Sequence, residues 1–219
     1  MKRIQIAMLF FLMNASCPFI FSVDTIVGQI APEFTMQAII NGEIKQLSLA
    51  DFEGKIKVLV FYPADFSFIC PTELFAIQDK LKEFEARNAI PIAISVDQIY
   101  SHQKWLETPK KEGGIQGITY PVAADVTKQV SNNYGVLDQK EAVALRGVFI
   151  IDEDNIVQAS TVYNTSIGRN IDEILRVLDA IIFTKENGQV CPANWQKGKE
   201  GLHTTQKDLK KYLKKQNQK

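Results

Sequence analysis

The chain has 219 residues, of which 46% are hydrophobic, and this is enough for one globular domain with appended segments. Its 25 basic and 25 acidic residues cancel, which excludes the overall basic charge typical of nucleic-acid-binding proteins. Three cysteines and two histidines form no recognisable zinc-binding pattern.

The first 22 residues differ in character from the rest of the chain. Met1-Lys2-Arg3 precedes an apolar stretch over Ile4–Met13 and a second apolar patch over Phe19–Phe21. This order is typical of a secretory signal peptide, and cleavage after Ser22 fits its small side chain. The stretch is too short and too interrupted for a membrane-spanning helix. We therefore favour export, to a periplasm or outside the cell, over an uncleaved cytoplasmic extension, and Cys17 is either removed or a bystander.

The most informative residue is Cys70, which stands where a predicted strand meets a predicted helix. The strand is the apolar run Val58–Phe61. The helix has apolar residues at Leu74, Ile77, Leu81 and Phe84. A helix N-terminus presents unpaired N–H groups and a partial positive charge, which favour a thiolate over a thiol. Because the thiolate is the nucleophilic form, this position predicts a reactive cysteine rather than an inert core residue.

The residues near Cys70 limit the reactions that this cysteine is expected to carry out. Glu73 stands where a Cys-x-x-Cys disulfide exchanger would have its second cysteine. We expect Ser67 to lie about one turn before Cys70, with its hydroxyl donating a hydrogen bond into the same pocket. Pro63 is expected to fix the turn and shield the site from water. Glu73 has two interpretations: it orients an arginine, or it is a favourable acid in the first helical turn.

After this helix, the run Ala89–Val96 predicts a buried strand, closed by Asp97. In the segment that follows, we expect Trp105 to be a packing residue and His102 to be a hydrogen-bonded structural histidine.

Arg146 directly precedes the nearly continuous apolar strand Val148–Ile151. Strands of this composition are generally buried on both faces, and a guanidinium there needs an anionic partner. The alternative is an ordinary surface salt bridge.

The second half of the domain predicts a hairpin and a helix. The hairpin consists of Val148–Asp152 and Ile156–Tyr163 around an acidic turn, and an apolar stripe predicts a helix over about Asn170–Phe183. This order of elements is consistent with a thioredoxin-like α/β fold, in which helices flank a central mixed sheet. We place this domain at residues 23–184.

Residues 185–219 are polar and turn-rich, and we expect them to form a C-terminal arm that reaches a neighbouring subunit. Cys191 lies in this arm, between Gly188 and Pro192, and spacing alone leaves open whether it is structural, exposed or redox-active. The lysines at the end of the chain predict a solvated tail rather than a binding surface.

Several of these segments resemble one family. Pro63-x-x-x-Ser67-x-x-Cys70 closely resembles the active-site signature of the peroxiredoxins, and the longer string FYPADFSFICPTE is similar to their typical two-cysteine subgroup, which includes the alkyl hydroperoxide reductase catalytic subunits. VCPANW, around Cys191, resembles the segment that carries the resolving cysteine, and LRGVFIID resembles the strand that supplies the active-site arginine. SVDQIYSHQKWLETPKKEGGI is also similar to a family segment. The resemblance extends from about Val27 to the C-terminus.

The resemblance implies roles for individual residues. It makes Cys70 the peroxidatic nucleophile and Cys191 the resolving cysteine, which acts from the partner subunit of a dimer. The other implied catalytic residues are Arg146, Ser67 and Pro63, with Glu73 and Tyr62 in support. No metal or organic cofactor is implied.

The implied function is that of a thiol-dependent peroxidase acting on hydrogen peroxide and organic hydroperoxides. Cys70 becomes a sulfenic acid, then forms an intersubunit disulfide with Cys191, and an external dithiol reduces that disulfide. Thioredoxin or a flavoprotein disulfide reductase is the expected donor, and the homodimer is expected to assemble into a ring of dimers. The alternatives are a holdase chaperone active under oxidative stress and a thiol–disulfide exchanger. A cytoplasmic location, usual for the family, is the alternative to export.

Two departures from the family concern overoxidation of the reactive cysteine. Sensitive members have a Gly-Gly-Leu-Gly loop and a Tyr-Phe pair in the last helix, whereas this chain has Gly113-Gly114-Ile115-Gln116 and Lys211-Tyr212-Leu213-Lys214. We hypothesise intermediate sensitivity.

Overall fold

The computed structural model describes residues 25–216, so the predicted signal peptide and Cys17 lie outside the described residues. The strands are β1 (Thr35–Ile40), β2 (Glu43–Ser48), β3 (Ile56–Phe61), β4 (Ala89–Ser95), β5 (Val122–Ala124), β6 (Leu137–Asp138), β7 (Val143–Ala144), β8 (Arg146–Ile151) and β9 (Val157–Tyr163). The α-helices are α1 (Cys70–Asp79), α2 (Leu81–Glu85), α3 (Ile99–Glu107), α4 (Gln129–Asn133), α5 (Ile171–Asn187) and α6 (Gln206–Gln216). Two short 3₁₀ helices cover Leu49–Phe52 and Lys110–Glu112.

Seven strands form one mixed sheet in the order β2-β1-β5-β4-β3-β8-β9. The pairs β3–β4 and β4–β5 are parallel, whereas β1–β2, β1–β5, β3–β8 and β8–β9 are antiparallel. The predicted central mixed sheet and the β8–β9 hairpin are therefore confirmed.

The central strand β3 divides the core into two layers. All six of its residues are buried, and alternate side chains enter opposite layers, as the two-residue period of a strand requires. Val58 and Val60 pack with apolar residues of α1 and α5, whereas Leu59 and Phe61 pack with Tyr134 and its neighbours on the other face. The sheet therefore has hydrophobic contacts on both faces at its centre.

The pairing of β3 with β8 positions Arg146 relative to Cys70. Val60 pairs with Val148 in antiparallel register, so the start of β8 lies beside the end of β3. Arg146, the first residue of β8, is thereby brought next to the loop that leads from β3 to Cys70.

Three elements differ from the sequence prediction or extend it. The predicted helix after Cys70 is interrupted at Lys80, whose backbone leaves the helical region (φ −108°, ψ 12°), so α1 and α2 are separate helices. The predicted helix over 170–183 is confirmed, with Asn170 as its N-cap, and it continues to Asn187, past the predicted start of the arm. The basic tail forms α6, whose lysines are exposed.

Candidate active site

Cys70 is the first residue of α1 and has no exposed surface. Ile69 is the N-cap, and Pro71 follows directly, at a position where a helix has no use for a backbone N–H donor. The predicted strand–turn–helix placement of Cys70 is thus observed. The sulfur is a free thiol at the helix end where the Cys70 backbone N–H and the helix dipole favour negative charge.

A guanidinium group contacts this sulfur. The Arg146 Nη1 atom lies 3.4 Å from Cys70 Sγ and donates to Glu73 Oε2 at 2.6 Å, while Arg146 Nε donates to the Thr165 carbonyl at 2.7 Å. Arg146 is 3% exposed, so the buried interpretation of this arginine is correct and the surface salt bridge is not. Glu73 likewise orients the arginine, as the first of its two interpretations expected.

Glu73 is shared with a second arginine, Arg169. The Arg169 Nε and Nη2 atoms donate to the two carboxylate oxygens of Glu73 at 2.8 Å each, and the Arg169 backbone N–H donates to Oε1 at 2.8 Å. Burial acts to raise the pKa of Glu73, but the hydrogen bonds and charge of Arg169, with the charge of Arg146, outweigh it and hold that pKa below its ordinary value. The carboxylate is therefore ionised and fixed between two guanidinium groups.

Arg169 was not predicted from the sequence. Its Nη1 atom donates to the carbonyls of Phe61, at the end of β3, and Gly147, in β8. Arg169 thus ties the two strands and the loop before α5 to Glu73. It stands in a loop, and the available signal was its position just before the helix cap Asn170, which does not separate a buried arginine from an exposed one.

Cys191 lies apart from this network, after α5, and is half-buried and free. Its sulfur lies 3.8 Å from the Ala180 carbonyl of α5. Burial raises the pKa of the Cys191 thiol, and the positive charge of Arg176 partly opposes this. The two cysteines are thus in different electrostatic environments.

Comparison with known proteins identifies the family. The model of the AhpC/TSA family matches residues 27–160, more than half of the chain, and a model described as the C-terminal domain of 1-Cys peroxiredoxin matches residues 180–215. The chain belongs to the AhpC/TSA family. The second match includes Cys191.

Individual relatives agree with this assignment. Thioredoxin peroxidase of Echinococcus granulosus is 44% identical over 188 residues, which span 86% of this chain and 97% of that protein. Peroxiredoxin-2 of Mus musculus is 42% identical over 191 residues, spanning 87% and 96% respectively. The reduced 2-Cys peroxiredoxin of Plasmodium vivax is a solved structure with a TM-score of 0.85 and 41% identity, covering 87% of this chain and 100% of that one. The predicted thioredoxin-like peroxiredoxin fold and the enzyme class, a thiol-dependent peroxidase, are confirmed.

The prediction for Ser67 is wrong in its geometry. Ser67 lies in the loop before α1, not on the helix, and its hydroxyl donates to the Ala64 carbonyl at 2.7 Å. The three-residue spacing corresponds to one turn only within a helix, and here it spans a loop. The sequence predicted that this hydroxyl donates into the pocket of Cys70, whereas in this peroxiredoxin it donates within the loop.

The remaining predicted residues line the base of the same loop. Pro63 is buried beside Tyr62, which is fully buried and donates its hydroxyl to Asp65 at 2.8 Å. His102 is also fully buried, with Nδ1 2.8 Å from Asp65 and Nε2 3.1 Å from the Ala123 carbonyl, as expected for a structural histidine. Trp105 is fully buried, as expected for a packing residue. Burial and the nearby Asp65 raise the pKa of Tyr62, which therefore stays a neutral donor.

Within residues 25–216, no group of three or more His, Cys, Asp or Glu side chains could hold a metal ion. In the same part of the chain, no helix combines the length and apolar character needed to cross a bilayer.

Proposed function

We propose that this protein reduces hydrogen peroxide and organic hydroperoxides with Cys70 as the nucleophile and Cys191 as the resolving thiol. The observation that carries the proposal is the Arg146 guanidinium, which touches the Cys70 sulfur while Glu73 fixes its orientation. A buried cation at a helix N-terminus is suited both to a thiolate and to the negative charge that develops on a departing oxygen.

In the first step, the Cys70 thiolate attacks one peroxide oxygen, the S–O bond forms and the O–O bond breaks. Sulfur loses two electrons and becomes a sulfenic acid, and the departing oxygen takes a proton and leaves as water or an alcohol. The donors for this oxygen are the Arg146 Nη1 atom and the backbone N–H of Cys70 at the start of α1. They stabilise the transition state more than the ground state because the charge on oxygen grows as the bond breaks. The Ser67 hydroxyl is not among these donors, since it donates its hydrogen bond to the Ala64 carbonyl.

In the second step, the partner subunit's Cys191 attacks the sulfur of the sulfenic acid. The S–S bond forms, the S–O bond breaks, and the hydroxyl leaves as water with the proton of the Cys191 thiol. An intersubunit pairing is supported by the similarity to a solved 2-Cys peroxiredoxin and by the position of Cys191 in the C-terminal segment. An external dithiol, either thioredoxin or a flavoprotein disulfide reductase, then reduces the disulfide. A homodimer assembled into a ring of dimers is part of the same proposal.

For the segment outside the described residues, we propose cleavage after Ser22 and export. The mass of the purified mature protein tests this, because retention of residues 1–22 contradicts it.

Non-reducing electrophoresis tests the catalytic proposal. The full chain carrying Cys17→Ser is treated with one equivalent of hydrogen peroxide, beside the same chain with Cys70→Ser or Cys191→Ser. We expect a reducible dimer band only when both cysteines are present. If the chain stays monomeric on the gel while Cys70 is oxidised, Cys191 of the partner subunit is not the resolving thiol.

A further inference from the structure

The Cys70 side chain is closed off in the observed conformation, since the residue has no exposed surface. Under the proposed function, its sulfur must nevertheless form a bond with the sulfur of the partner subunit's Cys191. A second thiol does not reach a sulfur that has no exposed surface, so the segment that carries Cys70 has to open before the disulfide forms. The contacts on either side of Cys70 show where this segment begins and ends.

The first anchor holds the chain up to Asp65. The Asp65 carboxylate accepts a hydrogen bond from the Tyr62 hydroxyl at 2.8 Å and lies 2.8 Å from His102 Nδ1. The Asp65 backbone N–H donates to Asp97 Oδ2 at 2.9 Å. Because the side chains of Tyr62 and His102 are fully buried, these contacts fix the backbone at the start of the loop that leads to Cys70.

The second anchor holds α1 from Glu73 onward. The Glu73 carboxylate accepts hydrogen bonds from Arg146 and from Nε and Nη2 of Arg169, and all three side chains are buried. One residue later, the buried Tyr120 hydroxyl donates to the Leu74 carbonyl at 2.9 Å. The stretch between the two anchors can therefore open while both anchors stay in place.

Residues 66–72 form this stretch, and its first residue, Phe66, has a left-handed backbone with a φ of 52°. That conformation is unfavourable for a bulky L-residue because its Cβ crowds the following carbonyl oxygen. The Phe66 ring packs on Trp105, with 5.8 Å between the ring centroids, and the Ser67 hydroxyl donates to the Ala64 carbonyl across Phe66. Side-chain packing and one hydrogen bond thus hold a backbone conformation that phenylalanine disfavours.

We propose that Phe66 is a positioning residue for the resolving step: it is the hinge at which residues 66–72 open, and release of its left-handed backbone favours the open segment. This inference rests on the proposed roles of Cys70 and Cys191. In the open segment, the hinge residue adopts the extended or right-handed conformations that phenylalanine prefers. Opening separates the Cys70 sulfur from Arg146 and leaves the ion pairs of Glu73 in place.

Alkylation of Cys70 as the sole cysteine tests the hinge. In the full chain carrying Cys17→Ser and Cys191→Ser, N-ethylmaleimide reacts with the sulfur only through the open segment, and its rate is measured at a pH where it no longer rises. Phe66→Ala and Phe66→Gly both remove the ring, but only alanine keeps the Cβ that opposes positive φ. We expect alkylation about threefold slower in Phe66→Gly than in Phe66→Ala, since the freedom of glycine in the open segment offsets part of the effect.

The ratio of the two alkylation rates decides the proposal. Equal rates, or a faster reaction in Phe66→Gly, would mean that the backbone at this position does not change on opening and would overturn the inference. Phe66→Asn gives a second reading if the alanine variant does not fold. Asparagine tolerates the left-handed region better than alanine, so its rate should exceed that of Phe66→Gly by less than threefold.

Ala142→Gly is the matched control, because Ala142 also has a left-handed backbone (φ 56°) and lies in the turn between β6 and β7. Glycine there removes the same kind of strain and should raise the free energy of unfolding measured in urea. It should leave the alkylation rate of Cys70 unchanged. A reaction slowed as much as by the change from Phe66→Ala to Phe66→Gly would mean that Cys70 is alkylated through global unfolding, which contradicts a local hinge.

A single turnover separates this inference from the proposed function. With Cys17→Ser as background and one equivalent of hydrogen peroxide, acid quenching followed by mass spectrometry counts the sulfenic acid and the disulfide over time. We expect conversion of sulfenic acid to disulfide to be about threefold slower in Phe66→Gly than in Phe66→Ala. If the parent chain forms no intersubunit disulfide, the proposed function fails. If it does and the two variants convert at the same rate, only this inference fails.

Discussion

The two cysteines of this protein lie beside two glutamate–arginine arrangements that differ in burial. Near Cys70, the side chains of Glu73, Arg146 and Arg169 are 2%, 3% and 1% exposed. Near Cys191, the side chains of Arg176 and its partner Glu173 are 33% and 48% exposed. Water screens the second pair, whereas the first has no solvent to replace a lost partner.

This difference in burial matches the different reactions of the two thiols. The transition state at Cys70 develops charge on oxygen, and buried donors that are already oriented stabilise that charge without reorganising. The resolving thiol needs only to be partly ionised and present, and an exposed pair is enough for that. The predictions below test how far burial separates the two arrangements.

The largest effect is expected from removing the buried carboxylate. Glu73→Gln leaves Arg146 and Arg169 buried without a counter-ion, and we expect a loss of about 3–5 kcal/mol of unfolding free energy, against less than about 1 kcal/mol for Glu173→Gln. Urea unfolding at equal protein concentration measures both. Because the pKa of Glu73 is held below its ordinary value, its contribution is complete above the carboxyl pKa of the unfolded chain and is lost as the pH falls through the folded pKa. Equal losses in the two variants at neutral pH would contradict the comparison.

Part of this arrangement could be predicted from the sequence. The apolar run after Arg146 indicated a buried guanidinium, and the strand–helix junction indicated Cys70 at a helix N-terminus. Both signals are local, because each depends on residues within a few positions. The α5 helix and the β8–β9 hairpin were predictable for the same reason.

The remaining features of the site and fold could not be predicted in this way. Arg169 meets Glu73 only because the fold brings the loop before α5 over the end of β3, and no periodicity marks a loop residue. Ser67 was misplaced because helical spacing was applied to a loop. The break at Lys80 was missed because the apolar positions of α1 and α2 continue the same pattern across it.

The second prediction concerns the rate of Cys70 oxidation. Arg146→Gln removes the donor on the sulfur while Arg169 still neutralises Glu73, so we expect a reaction with peroxide roughly 10²–10³-fold slower, as for loss of one oxyanion donor. Stopped-flow competition against a reference peroxidase measures this rate. Arg169→Lys is the matched variant, since Arg169 contacts Glu73 and carbonyls but not the sulfur, and it should reduce stability more than rate. A larger loss of rate in Arg169→Lys than in Arg146→Gln would reverse their roles.

The third prediction extends the comparison to a buried cation without a carboxylate partner. Lys57 of β3 has no exposed surface, and its ammonium donates to the Asp152 carbonyl at 2.8 Å. Burial lowers the pKa of Lys57, although the carboxylates of Asp152 and its neighbours oppose this. The folded state therefore binds this proton less tightly than the unfolded chain does, and stability rises with pH from the folded pKa up to the unfolded one.

We accordingly expect Lys57→Met to raise the unfolding free energy by about 1 kcal/mol at neutral pH, since an apolar side chain of similar length removes the desolvation cost. The variant should also lose the rise in stability at alkaline pH. The Asp152 carbonyl keeps the Asn155 N–H as a donor, so the substitution leaves it paired. Lys55→Met, at an exposed position two residues earlier, is the control. Denaturant unfolding at several pH values measures both variants, and a destabilised Lys57→Met would show that the lysine is needed where it lies.

The smallest effect is expected in the competition between two reactions of the Cys70 sulfenic acid, disulfide formation with Cys191 and overoxidation by a second peroxide. The altered Gly113–Gln116 loop and the altered tail predict intermediate sensitivity, so mass spectrometry after graded peroxide exposure should show Cys70 sulfinic acid only at high excess. Cys191→Ser should show Cys70 sulfinic acid at lower excess, because the sulfenic acid then persists and reacts with a second peroxide.

Cys191 itself should stay unoxidised in Cys70→Ser, since its thiol pKa is raised by burial and no buried guanidinium contacts it among the described residues. Oxidation of Cys191 as readily as Cys70 would mean that the buried arginine network does not distinguish the two sulfurs.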